Sequence, residues 1–240
     1  MDLIQKNENQ IVFAADAEES LVNSIRRYLN EIPILAIEEV EISKNDSALY
    51  DETISHRMGL IPLKTDSSMN SKTEINLKLA NNKEGIIYSG NLKGGAEVVY
   101  GKIPITILNK DQEFEVLAKA KLGKGSEHSK YSPGILFYRN SAEVTLDKEF
   151  LNKVKKACPN AEIKEKGNKI VILDNKKESV CEVCEGISEK EGKKPEVEYK
   201  NDLIITIESF GQLSTKDIFS KAIKELESDL NDVIKKVDKA

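Results

Sequence analysis

The stretch ALYDETISHRMGLIPLKTD, residues 48–66, gathers the side chains with the most obvious chemical reach. Asp51 and Glu52 are adjacent carboxylates, His56 and Arg57 follow, and Gly59 and Pro62 close the segment. A histidine between acids and a guanidinium could act as a general base or a metal ligand. The spacing argues against both. DETISH lacks the H-E-x-x-H order of a zinc helix. No P-loop or G-x-S-x-G run occurs in the chain, and the only other histidine, His128, sits in an isolated glycine-rich scrap, GKGSEH. On a helix, Asp51 and Glu52 diverge by about 100° instead of converging on one substrate. A structural account covers the segment better. Asp51 caps a short helix whose apolar face is Leu49, Ile54, Met58 and Ile61. Glu52 and His56 pair at i, i+4. Gly59 suits a left-handed C-terminal cap, and Pro62 forces an extended exit.

Cys158, Cys181 and Cys184 are the other residues with chemical potential. Three thiolates could hold a zinc ion with an outside ligand, or an iron cluster. They could also be a regulatory thiol pair, or the remnant of a cluster insert that has lost its metal and kept its hairpin. Three cysteines cannot all pair within one chain, and the start MDLIQKNENQ shows no basic n-region or apolar h-region, which argues for a reducing cytoplasm. The longest apolar run, IPILAI, is far too short to span a membrane. The net charge is −5 and the basic runs are short, so strong direct grip on nucleic acid is not expected.

Around these residues, DLIQKNENQIVFAADA reads as two short strands about a polar turn. DAEESLVNSIRRYLNEIP reads as a helix capped by Asp16, with Leu21, Ile25 and Leu29 as one stripe. ILAIEEVEISKND alternates as a strand through Ile37, Val40 and Ile42. From residue 74 to about 146, short β-like runs alternate with Gly and Asn. DKEFLNKVKKACP is a helix capped by Asp147, and AEIKEKGNKIVILD is a hairpin turning at Gly167 and Asn168. The segment CEVCEGISEKEGKKPEVEYK reads as a charged loop. NDLIITIESFG is a strand, followed by a long helix capped at Ser214 or Thr215. In that helix Phe219, Ile223, Leu226, Leu230, Val233 and Val237 are spaced 4, 3, 4, 3, 4, a heptad seam. Ile218, Ala222 and Ile234 widen it. Such a face packs either on its own sheet or on a partner helix.

DETISHRMGLIPL resembles the helix-turn signature of the α-like subunits of multisubunit RNA polymerases. Upstream, VNSIRRYLNEIPILAIEEVEI is similar to their first helix and following strand at Asn23, Ile25, Arg26, Arg27, Pro33, Ala36, Ile37 and Val40. KLGKGSEHSKYSP resembles a segment of their second domain at Gly123, Gly125, His128, Lys130 and Pro133. The resemblance runs through nearly the whole chain, with archaeal members nearest. It implies an α+β fold in which a split α/β dimerisation domain, 1–46 plus 202–240, carries an inserted β-rich domain, 47–146. A small ferredoxin-like, cysteine-bearing insert, 147–201, follows. It also implies a non-catalytic subunit that pairs with a smaller α-like subunit, L, to form a platform for the two large catalytic subunits. The resemblance places partner contact on Leu21, Ile25, Leu29 and the seam, and assembly contact on Arg26, Arg27, Asp51, Glu52, His56, Arg57, Gly59 and Pro62. DNA is met only through the complex. Some relatives carry an iron–sulfur cluster near the cysteines, but Ile187 stands where a further ligand is expected, so no cofactor is expected. The alternative is a redox-responsive protein whose cluster tunes assembly.

Overall fold

The computed structural model describes residues 1–66, 68–70, 72–176 and 179–239. Strand β1 (Asp2–Lys6) folds back onto β2 (Gln10–Asp16), and helix α1 (Glu19–Tyr28) tightens into a 3-10 turn at Leu29–Glu31. There follow β3 (Ile34–Asn45), α2 (Asp51–Gly59), β4 (Glu74–Asn81), β5 (Gly85–Tyr88), β6 (Lys93–Gly94) and β7 (Pro104–Leu108). The chain continues through β8 (Phe114–Gly123), β9 (Gly134–Asp147), α3 (Leu151–Ala157), β10 (Glu162–Lys166) and β11 (Lys169–Asp174). It ends with α4 (Val180–Glu189), β12 (Glu196–Ser209) and α5 (Thr215–Val237). The class is α+β with mostly antiparallel pairing.

The chain forms two compact units, Met1–Ser24 with Leu136–Glu208, and Ile25–Ile135 with Ser209–Ala240. The first is built on a six-stranded sheet of order β1-β2-β12-β9-β11-β10. Its pairings are long-range: Leu203 of β12 lies opposite Ala15 of β2. Helices α3 and α4 pack on each other, and α4 packs on β11. Val144, Phe150, Val154, Ile170 and Ile172 form the core beneath them. The expected hairpin is present, with Gly167 in the left-handed region (φ 61°) that the tight turn requires.

The second unit contains a four-stranded sheet, β3-β8-β4-β6, and a two-stranded ribbon, β5-β7. Its core joins Leu35, Ile54, Met58, Leu77, Ile105 and Phe114. The odd spacing Ile37, Val40, Ile42 reflects a register shift between Ile37 and Glu39 against β8. The extra residue returns the apolar positions to one face.

Several expectations are corrected by the backbone. Strand β3 pairs along its length with β8, and β9, β11 and β10 extend the sheet of β1, β2 and β12. GILFYRN and AEVTLD are one continuous strand, β9. The charged loop at 181–200 instead contains α4, on which Val180, Cys181, Cys184 and Ser188 are buried. The cysteines behave there as small apolar residues at helical spacing, a pattern that reading them as ligands conceals. Asp16 ends β2, and α1 starts with the Glu18 carbonyl accepting from Val22 N–H. Asp147 pairs with Lys193 at 2.7 Å and does not cap α3.

Candidate assembly interface

Helix α5 begins as its sequence requires. Ser214 Oγ accepts from the Asp217 N–H at 3.1 Å, and Lys235 and Lys236 occupy the last turn, where cations complement the helix dipole. Two of its side chains, Ile218 and Ala222, are fully buried. Near its middle, Tyr28 Oη donates to Asp229 Oδ2 at 3.0 Å, and the Leu29–Glu31 turn packs against the helix. That hydrogen bond raises the tyrosine pKa above its ordinary value.

The heptad seam lies beside this covered arc. At about 100° per residue its axis runs roughly a quarter turn round from Ile218. Phe219 and Leu226 are half-buried. Ile223 is 39% exposed, Leu230 and Val233 are 56% exposed, and Val237 is 68% exposed. Ile234 is open to solvent beside them. The seam thus leaves the chain's own core within two turns and continues uncovered to the end of the helix.

On α1 the buried stripe is Val22, Ile25 and Leu29, while Leu21 is 50% exposed. Both the i, i+3, i+7 set and the expected i, i+4, i+8 set fit a helical stripe, and tertiary packing selects the first. Arg26 and Arg27 are exposed on the same helix.

The motif at 51–62 forms a helix with its apolar face inward, and Ile54 and Met58 are fully buried. Asp51 Oδ1 accepts from Asn45 Nδ2 at 2.7 Å, while Tyr50 holds the N-cap position without a side-chain cap. Gly59 remains helical and is not a left-handed cap. Among the described residues no hydrogen bond or ion pair links Glu52 to His56. Arg57 Nη2 donates to the Pro104 carbonyl at 2.6 Å, tying α2 to β7. Pro62 leaves the helix extended, with its carbonyl accepting from Val99 N–H at 3.0 Å.

The two motifs that flank β3 converge. His56 and His128 line one shallow cavity of about 170 Å³, with Val40, Leu60, Glu38 and Lys130. His128 Nδ1 accepts from the Lys130 N–H at 3.1 Å. Lys130 Nζ pairs with Glu38 and donates to the Ile37 carbonyl at 3.2 Å, and Tyr131 Oη donates to Glu38 at 2.6 Å. These contacts hold the Glu38 carboxyl below the usual carboxylate range. The glycines of this loop are spatial necessities: a Cβ on Gly123 would lie 2.5 Å from the Tyr131 ring, and one on Gly125 2.6 Å from Asn30 Oδ1. The arrangement fixes a surface, and among the described residues no carboxylate is hydrogen-bonded or ion-paired to either imidazole. Glu38 and Tyr131 were not singled out in the sequence; the adjacency of Tyr131 to Lys130 was the only signal for them.

The sequence profile of the RNA polymerase Rpb3/Rpb11 dimerisation domain matches residues 15–230. The chain belongs to that family. Among its relatives, DNA-directed RNA polymerase subunit Rpo3 of Methanosphaera stadtmanae is 30% identical, over 98% of this chain and 97% of the relative. Subunit Rpo3 of Pyrococcus furiosus is 33% identical, over 94% of this chain and 92% of the relative. The matched span takes in the seam as far as Leu230, and Val233 and Val237 lie beyond it.

The cysteines lie in the core of the first unit. Cys184 is fully buried, Cys181 nearly so, and Cys158 packs partly exposed against the same cluster. Burial, with the neighbouring thiols, pushes the Cys184 thiol up to about 12, and burial raises Cys181 as well. Metal ligation needs the thiolate. Among the described residues no group of three or more His, Cys, Asp or Glu side chains is placed to hold a metal ion. No helix among the described residues is long and apolar enough to cross a membrane.

Proposed function

We propose that the chain is a non-catalytic assembly subunit of a DNA-dependent RNA polymerase. It pairs through the α5 seam, with Leu21 of α1 beside it in the expected contact set, with the smaller α-like subunit L. The pair is the platform for the two large catalytic subunits, and DNA is met only through the complex. The observation that carries this is an uncovered apolar heptad in a chain of the dimerisation-domain family. An exposed stripe of that length is a liability in a monomer and an asset in an obligate pair. The cavity between His56 and His128 is read as a second contact surface, for a large subunit, because the residues of both motifs are spent on holding its shape. Cys158, Cys181 and Cys184 are read as packing residues, an interpretation supported by the burial and raised thiol pKa of Cys181 and Cys184 and by the packing of Cys158 against the same cluster, and no resident cofactor is assigned. The cellular compartment proposed is the cytoplasm.

The test is co-purification with subunit L. A carboxylate at the centre of the seam would be buried without a partner in the complex. Leu226→Asp is expected to abolish recovery of the pair, while Lys224→Asp, on the charged side of α5, binds nearly as wild type. Full recovery with Leu226→Asp would refute the assigned face.

A further inference from the structure

The charges flanking the seam say which kind of helix covers it. Written as a heptad, the positions that border the middle of the seam are Glu227 on one side and Asp229 on the other. Both are exposed. Asp229 accepts the Tyr28 hydroxyl, whereas Glu227 makes no ion pair or hydrogen bond among the described residues. Lys124, held by Glu31, acts on Asp229 from the neighbouring loop, whereas among the described residues no basic side chain pairs with Glu227. Lys224 and Lys235 lie about 140° or more round the helix from the seam axis, counting about 100° per residue. Lys236, the one basic flank, is a full heptad beyond Asp229.

A second copy is therefore a poor occupant. Two-fold pairing of the seam with itself, parallel in register or antiparallel about residue 228, brings four carboxylates to one level at its centre. Like charges facing each other across an interface suppress that pairing. A helix with an apolar seam flanked at mid-length by lysine or arginine meets the same two acids favourably. We infer that Glu227 and Asp229 are specificity determinants: they reject self-association through α5 and select a partner helix with basic flanks. This rests on the reading of the seam as a partner surface.

The experiment uses the full chain. Binding to subunit L is measured at low and high salt for wild type, Glu227→Gln, Glu227→Lys and Leu226→Asp, and self-association of each is followed by sedimentation. Glu227→Lys is expected to weaken subunit L binding by about tenfold at low salt, with the difference shrinking at high salt. A mixture of wild type and Glu227→Lys is expected to associate more tightly than either alone. Equal binding of subunit L by wild type and Glu227→Lys at low salt would overturn the inference. So would wild-type self-association as tight as that of Glu227→Gln. Leu226→Asp separates the two readings: if it abolishes binding while Glu227→Lys is silent, only the charge assignment falls. If Leu226→Asp also binds fully, the seam itself is misassigned.

Discussion

Helices α2 and α5 are both amphipathic, and they dispose of their apolar faces in opposite ways. In α2 the face is closed by its own unit: Ile54 and Met58 are inaccessible, and Arg57 pins the outer side to the Pro104 carbonyl. In α5 only the first two turns are closed, and Leu230, Val233 and Val237 stand in solvent. The same pattern of residues thus serves stability in one helix and, in the function proposed above, association in the other. What separates them is where the covering surface comes from.

The comparison can be broken first with paired truncations. Ile54→Ala opens a cavity in a closed core and is expected to cost about 2–5 kcal/mol in chemical denaturation. Leu230→Ala removes side-chain surface that water already reaches, so the isolated chain should change by no more than about 0.5 kcal/mol. Equal losses would mean that α5 is covered within the chain. A smaller effect comes from the cap. Ser214→Ala leaves the Asp217 N–H without its acceptor and should cost about 1 kcal/mol of helix stability. Circular dichroism would show it as a lower melting temperature, and an unchanged melt would contradict the cap.

The smallest expected effect sits at the cavity next to α2. Glu38 has a depressed pKa through Lys130 and Tyr131. A depressed carboxylate contributes stability above its unfolded pKa, and loses that contribution as the pH falls through the lower folded value. The window therefore lies at and below the ordinary glutamate value of 4.5. At 44% exposure the Glu38 side chain is well screened, so the slope is shallow. Lys130→Met should flatten the acid limb of stability against pH. A limb as steep as in the wild type would show that the pair is not its source.

The difference between α2 and α5 also marks what was legible in the sequence. The heptad of α5, its Ser214 cap and the apolar face of α2 follow from spacing alone, because local periodicity is a local property. The choice between Leu21 and Val22 on α1 was not legible, since both fit a helical stripe and tertiary packing decides. Gly59 looked like a left-handed cap, yet the helix carries it without turning. Helix α4 was hidden because its inward positions after Val180 are two cysteines and a serine, which read as chemistry or as loop. The partnership of Glu38 with Lys130 and Tyr131 joins residues about 93 apart, and nothing local announces it.

The pairing of β2 with β12 has a consequence for the order of events at the ribosome. Gln10 meets Glu208 across 198 residues of chain. A growing polypeptide therefore carries β1 and β2 with one sheet edge unsatisfied until β12 is made, a state that invites wrong pairing. Strand β12 seals that edge only when it emerges, and α5 follows directly behind it. The surface proposed to receive a partner is thus made only after that strand. Translation itself sets the timetable, with recruitment deferred until the strand that completes the first unit has left the tunnel.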